Sequence, residues 1–497
     1  MIEVINSSLK ESFYQMLYWV EIFNILIIIL FIGYYSFYFR KVVFKHLKTN
    51  KGIYLLLIVI LTFSYLYNLY FINPYFMEID KAVVKSESTE VAIDAIKANY
   101  LAVYHSYPLG IWQQDGPFYS AVLSAGLSLS KIYMKKDIIL YPDGKTNLID
   151  IELNKLMQFV SFFSRILGIF VLISIFILLQ LIFNKKILSL IAVLIASTHP
   201  LFNIFFLYGY VNLFSVLIVN VVLISFMIYI QENRIIDSLF LFGLMAITPQ
   251  INFVEYILLP LTLVLIVIKL KNDIFRKHNI INLILGLLLF TIISFPFVLL
   301  QLFLTSVPLV ALSLPSEKYA NYDMFSPNSS ILKVIDNEQP ENSLVCVLSK
   351  WYCRAYFFEN MINVDPPRGV FPIINKYRGN LLKYFMYLSF GTENIISPGA
   401  KNLENNKSGV DFSKLLTWIY LVYFIVFLIG VAILLKKRPF FCILFIMLWL
   451  SFIVIYSPYY ASEKIWMANT VFNGMIPLIS AGVYWIIKKK LIVQYNN

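Results

Sequence analysis

FVSFFSRILGIFVLISIFILLQLIF, residues Phe159–Phe183, is followed at once by Asn184-Lys185-Lys186. A bilayer core takes about 20 residues of apolar helix to cross, and this run supplies them with a single charged side chain, Arg165, near its start. Comparable apolar blocks are Ile22–Phe39, Tyr54–Phe71, Leu213–Ile230, Ile257–Ile268, Leu283–Phe303, Leu416–Leu435 and Phe440–Ile455. They are continuous, whereas the strands of a membrane barrel alternate apolar and polar residues. A helix also satisfies its own backbone polar groups, as lipid requires. The sequence therefore predicts an all-α polytopic membrane protein.

Composition agrees. Hydrophobic residues make up 60% of the 497 and charged residues 14%, against roughly 45–50% and about 25% in an ordinary soluble domain. The formal charge of +12 does not point to nucleic acid. The basic residues sit in short links between apolar blocks, the pattern of cytoplasmic loops, and gather on no soluble face with aromatic partners.

Those links are Arg40-Lys41 through Lys51, Lys185-Lys186, Arg234, Lys269 through Lys277, Lys436-Lys437-Arg438 and Lys488-Lys489-Lys490. With each one cytoplasmic, the chain makes roughly eleven transmembrane crossings, N-terminus outside and C-terminus inside, with the plasma membrane the expected location. Two crossings, Leu188–Ala196 and Ser238–Ile247, are short and need their polar flanks. Met1–Leu17 carries Glu3, Lys10 and Glu11, with stronger positive charge after the following apolar block. That order is the reverse of a secretory signal, so Ile22–Phe39 is expected as a retained helix.

On this count Asn73 and Lys155 lie on the same outer side, so the apolar stretch Pro117–Tyr133 between them cannot cross once. It is expected as a helix in the external interface, within one long external loop, Asn73–Lys155. The second polar segment, Thr305–Phe412, has turn residues, a strand-like run Ser343–Leu348 and aromatics around Trp351–Phe358, and is expected as a small mixed subdomain. The chain divides into an N-terminal helix and basic link (1–53), a membrane core (54–304), the loop subdomain (305–412) and C-terminal helices (413–497).

His46, His105, His199 and His278 have no metal-ligand spacing. Cys346 and Cys353 could close a disulfide in an oxidising compartment, and Cys442 sits in a spanning block. Glu78 and Asp80 follow Asn73-Pro74-Tyr75-Phe76 where the chain leaves the membrane. A carboxylate there is either a solvated flank or a general base. Asp115 and the cluster Tyr104-His105-Ser106-Tyr107-Pro108 could bind a sugar or phosphate, or be a polar loop tip.

Gln114-Asp115-Gly116-Pro117-Phe118-Tyr119-Ser120-Ala121-Val122-Leu123 resembles the juxtamembrane helix of GT-C glycosyltransferases, membrane enzymes that use polyprenyl-phosphate-linked sugars and include protein mannosyltransferases and aminoarabinose transferases. Ser164-Arg165-Ile166-Leu167-Gly168, Phe183-Asn184-Lys185-Lys186, Ala196-Ser197-Thr198-His199-Pro200-Leu201-Phe202 and Ile247-Thr248-Pro249-Gln250 are similar, in order, to later motifs of that family. The likeness runs from about Tyr54 to Phe303. It implies a sugar transferred from a polyprenyl-phosphate donor to an external acceptor, with membrane lipid as partner and no nucleic acid.

The resemblance places the family's acid on Glu78 or Asp80, although the usual adjacent pair is here Glu-Ile-Asp. It makes Arg165 a candidate for the donor phosphate, against the alternative that it snorkels to the interface. Lys350, Arg354 and Arg368 could meet phosphate or an anionic acceptor, or simply face solvent. Tyr104, His105 and Trp112 could stack on or hydrogen-bond a sugar. Where a related branch places metal-binding acids, this chain has Tyr208-Gly209-Tyr210-Val211-Asn212, so no divalent metal is expected. The first helix is an addition to the family plan. A transporter or flippase of lipid-linked saccharide, or a non-catalytic scaffold, is the competing expectation.

Overall fold

The computed structural model describes residues 15–37, 51–68, 94–105, 117–133, 150–199, 202, 206, 211–251, 258–299, 412–456 and 469–495. These residues are almost entirely helical, and no strand occurs among them. In chain order the helices are α1 (Gln15–Phe37), α2 (Lys51–Leu66), α3 (94–104), α4 (Pro117–Ser130), α5 (Asp150–Phe183), α6 (Lys186–Thr198) and α7 (Val211–Glu232). There follow α8 (Ile235–Ile247), a 3₁₀ turn (Thr248–Gln250), α9 (Leu258–Leu270), α10 (Lys277–Leu299), α11 (Phe412–Lys437), α12 (Pro439–Tyr456) and α13 (Asn469–Tyr495).

Within the described residues, four helical stretches are long and apolar enough to cross a membrane: Gln15–Phe37, Lys155–Phe183, Asn212–Glu232 and Lys277–Pro296. The apolar residues on α1, α2 and α10 include many that face outward, among them Trp19, Phe23, Leu30, Leu55, Ile58, Phe63, Ile284, Leu288 and Ile292. An apolar surface this extensive suits a hydrocarbon surround. The expected starts of two helices shift. The first begins at Gln15 rather than Ile22, and α5 begins at Asp150, so Lys155 is helical rather than part of the loop. The two stretches expected as short crossings are helices of 13 residues each, α6 and α8.

Tight links explain how these helices pair. Asn184 closes α5 and Asn233 closes α7, both in the left-handed region at φ 51° and 53°. Asn tolerates that conformation better than most residues. The Asn184 N–H donates to Gln180 O at 2.9 Å and the Asn233 N–H to Tyr229 O at 2.8 Å, which caps each helix. Lys185 and Arg234 then turn back, in extended backbone, into α6 and α8. The result is two antiparallel hairpins, α5–α6 and α7–α8, each turning on an Asn and a basic residue.

Four of the basic links, at Lys185, Arg234, Lys269–Lys277 and Lys436–Arg438, converge on one end of the bundle. Asn233 Nδ2 donates to Asn279 Oδ1 at 2.6 Å, and His278 Nε2 lies 2.8 Å from Asn233 O, joining the α7–α8 link to the start of α10. The Phe183 and Phe441 rings, 6.3 Å apart, bring the end of α5 to the start of α12. Lys269 Nζ stands 5.9 Å over the Phe440 ring, adding the end of α9. At the opposite end, here the loop end, are the start of α7, the 3₁₀ turn, the start of α13 and α4. Phe118 of α4 stacks on Phe214 and Tyr119 tilts against it, each at 5.7 Å.

The core runs through α5, α7 and α13. Asn473 Nδ2 donates to Asn220 Oδ1 at 2.7 Å, and Asn220 Nδ2 to Ser174 Oγ at 2.9 Å, so a buried polar thread ties the three helices together. All three side chains are buried, and each such bond sets register where apolar packing alone would allow sliding. Residues 305–411 of the second polar segment, including the strand-like run Ser343–Leu348, lie outside the described residues.

Candidate functional site

Along α1, Tyr18, Glu21, Asn24, Phe31 and Tyr35 recur at steps of three, four or seven residues and share one buried face. At the basic end Tyr35 Oη donates to Asp237 Oδ1 at 2.6 Å, and Asp237 is held bidentately by Arg234 at 2.8 and 3.1 Å. Toward the loop end Asn24 Nδ2 donates to Glu21 Oε2 at 3.1 Å and to Gln250 Oε1 at 2.9 Å. These contacts make α1 antiparallel to α8 and fasten it at two levels about 17 Å apart along the helix axis.

Gln250 is oriented from behind. Its Nε2 donates to Ala246 O at 2.9 Å and Ile293 O at 3.2 Å, which turns Oε1 toward Asn24. The 3₁₀ turn that carries it forms because Pro249 has no N–H to continue α8. Thr248 Oγ1 donates back to Met245 O at 3.0 Å. Glu21, Asn24 and Gln250 are fully buried, and Glu21 Oε1 and Asn24 Oδ1 have no hydrogen-bond partner among the described residues.

The tip of α1 reaches the helix of the first long loop. His105 Nδ1 lies 3.2 Å from Tyr18 Oη, and the two rings are 5.4 Å apart. His105 ends α3 in the left-handed region at φ 52°, its N–H donating to Leu101 O at 3.0 Å. Tyr104 is exposed and tilts on Tyr100 at 4.5 Å. On the same helix Asp94 and Lys97, both buried, form an ion pair at 3.7 Å. Burial pushes the Asp94 carboxyl up, and the Lys97 charge opposes that shift.

Arg165 sits 20 positions before Lys185 on α5, about 30 Å along the axis, so it comes at the loop end when Lys185 is at the other. Its Nε is buried and has no hydrogen-bond partner among the described residues. Below it Gly168 lies against Phe206 and Phe202, where a larger residue would not fit. His199, beyond the end of α6, is fully buried with its ring 5.3 Å from Phe472.

Burial lowers His199 from 6.5 to about 3. The folded protein thus keeps it neutral while the unfolded chain protonates near 6.5, so below that pH the unfolded state binds more protons. Stability present above about pH 6.5 is expected to fall as pH drops toward 3. Thermal melts in detergent should show a shallower acid loss for His199→Gln than for wild type.

Of the residues singled out in the sequence, the structure brings His105 onto Tyr18, leaves Tyr104 exposed and gives Arg165 a buried guanidinium nitrogen. Glu78, Asp80, Trp112, Asp115, Cys346, Lys350, Cys353, Arg354 and Arg368 lie outside the described residues. Glu21, Asn24 and Gln250 were not anticipated. The signal was present as a polar i, i+3 series through Tyr18, Glu21 and Asn24, masked by starting the helix at Ile22. Among the described residues no three His, Cys, Asp or Glu side chains gather as a metal site. Comparison with known protein families and with curated proteins found no match.

Proposed function

We propose that this chain is a multi-pass membrane glycosyltransferase that moves a sugar from a polyprenyl-phosphate donor to an acceptor at the loop end. The loop end faces the outside, the basic end the cytoplasm, and about eleven crossings place the N-terminus outside and the C-terminus inside. The observation that supports the chemistry most is the buried Nε of Arg165, without a partner among the described residues and one bilayer thickness from Lys185. A guanidinium fixed at that level can hold the phosphate of a lipid whose tail lies in the bilayer. The order of motifs from Gln114 to Gln250 points the same way.

In this reading the acceptor hydroxyl attacks the anomeric carbon as the bond from that carbon to the phosphate oxygen breaks. Asp80 or Glu78 takes the hydroxyl proton, and polyprenyl phosphate leaves with its charge met by Arg165. Direct displacement inverts the anomeric configuration. The chain's residues supply the positioning and charge, and the step calls for no metal or other cofactor.

The test is transfer by purified protein in detergent, supplied with polyprenyl-phosphate sugars and candidate acceptors. Arg165→Ala is expected to raise the KM for donor at least about tenfold, and either Asp80→Asn or Glu78→Gln to lower kcat by about a hundredfold or more. Wild-type rates in both carboxylate variants would refute the base assignment. Transport or flipping of the lipid-linked sugar is a second reading, favoured by Glu21 being inside α1 rather than beside it. Movement of donor across proteoliposomes without transfer would select it.

A further inference from the structure

Five cations gather at the start of α12, and no acid among the described residues meets them. Lys436 and Lys437 end α11, and Arg438 joins it to α12. That link is tight: the Arg438 N–H donates to Leu434 O at 2.7 Å and the Phe441 N–H to Arg438 O at 3.1 Å. Lys269, at the end of α9, holds its Nζ 5.9 Å over the Phe440 ring. Lys185 lies just beyond Phe183, whose ring is 6.3 Å from that of Phe441. All five residues are exposed. Elsewhere at this end cations are matched, Arg234 by Asp237 at 2.8 Å and Arg276 by Asp273 at 2.9 Å. None of the five has an acidic partner among the described residues, and Glu232 pairs with none of them. Like charges gathered this way create a field that draws in an anion.

On the bilayer side of the cluster the surface turns apolar. Val264, Val267 and Ile268 of α9, Leu435 of α11 and Ile443 of α12 all face outward, each close in sequence to one of the cations. We propose that the cluster binds the headgroup of an anionic phospholipid, whose acyl chains lie on this apolar surface. The phosphate answers the unmatched charge, as in basic pockets between spanning helices. The outward apolar side chains favour a lipid over a free phosphate, because only the lipid has chains to cover them. The proposal requires the basic end to lie at a bilayer surface and is independent of the sugar-transfer reading.

The experiment titrates detergent-purified full-length protein with phosphatidylglycerol or phosphatidylcholine of identical chains and counts bound lipid by native mass spectrometry. Wild type is expected to bind phosphatidylglycerol at least about tenfold more tightly. Lys269→Gln combined with Lys437→Gln should lose about tenfold or more of that affinity, since each cation contributes about fivefold. Lys131→Gln combined with Lys155→Gln, which removes two exposed lysines at the loop end, should leave it unchanged. Excess glycerol phosphate, which carries the charge without the chains, should not displace the lipid. Equal affinity for the two lipids would overturn the proposal. So would wild-type affinity in the Lys269 and Lys437 double variant, or an equal loss in the loop-end pair. Displacement by glycerol phosphate would also overturn it and mark a free-phosphate site instead. Sugar transfer is assayed separately, so failure of either reading leaves the other standing.

Discussion

Gly482→Val is expected to leave no folded protein, and Gly430→Val the same. The two glycines face each other's helices where α11 crosses α13. A Cβ on Gly430 would run into Leu478 O, and one on Gly482 into Val426 O. Both obstacles are backbone, so no rotamer change relieves them. Lipid offers no hydrophobic reward for pressing helices together, and close backbone approach at small residues supplies much of the association energy instead. The helices would have to separate, and the shift of α11 would disturb the neighbouring packing of Phe427 on Trp449 of α12 at 4.8 Å. Overpacking a tight core costs about 1–3 kcal/mol where side chains can yield, and here they cannot, so the cost exceeds that range. Size-exclusion chromatography of detergent extracts should show loss of the monodisperse peak. Gly33→Ala, which meets nothing within 4 Å, should run as wild type.

Asp237→Ala is expected to have the next largest effect, destabilising by about 3 kcal/mol or more. The Asp237 carboxylate is fully buried and accepts from Tyr35 and from two nitrogens of Arg234. Removing it takes the shared acceptor away from the buried Tyr35 hydroxyl and from the part-exposed Arg234 guanidinium. It also detaches the basic end of α1 from α8, while the Asn24–Gln250 bond still ties the other end. Tyr35→Phe removes a single charge-assisted bond and is expected to cost less, about 1.5–3 kcal/mol. Unfolding in a graded series of denaturing detergent should rank the variants in that order. An Asp237→Ala protein as stable as Tyr35→Phe would show that the Arg234 pair contributes nothing.

Helical character was legible because lipid-facing segments are apolar for most of their length, and composition then speaks without any need for periodicity. The hairpin turns were legible too, since Asn184-Lys185 and Asn233-Arg234 punctuate otherwise continuous apolar runs. The start of α1 was not. Its first turns carry Gln15, Tyr18, Glu21 and Asn24, and hydropathy reads such residues as outside the membrane. Tyr18 meets His105 and Asn24 meets Gln250, partners more than 80 positions away in sequence, and these bonds hold that stretch in the helix. Local pattern carries no information about a bond formed across that separation. Arg165 illustrates the middle case. Its position followed from spacing to Lys185, whereas the burial of its Nε depends on how neighbouring helices close over it.

The 13-residue helices α6 and α8 have one further consequence. At 1.5 Å per residue each extends about 20 Å, roughly 10 Å short of a typical hydrocarbon core. Anchored by Lys185 and Arg234 at the basic end, both stop early at the other. The loop-end half of α8 is buried while Leu194 of α6 faces outward, so on the proposed topology the headgroup layer would dip beside α6, as a bilayer does next to a span too short for it. A phosphate carried on a lipid would then come to rest below the general level of its neighbours. Water would follow it down, and a soluble acceptor could meet it there without the lipid being lifted from its leaflet.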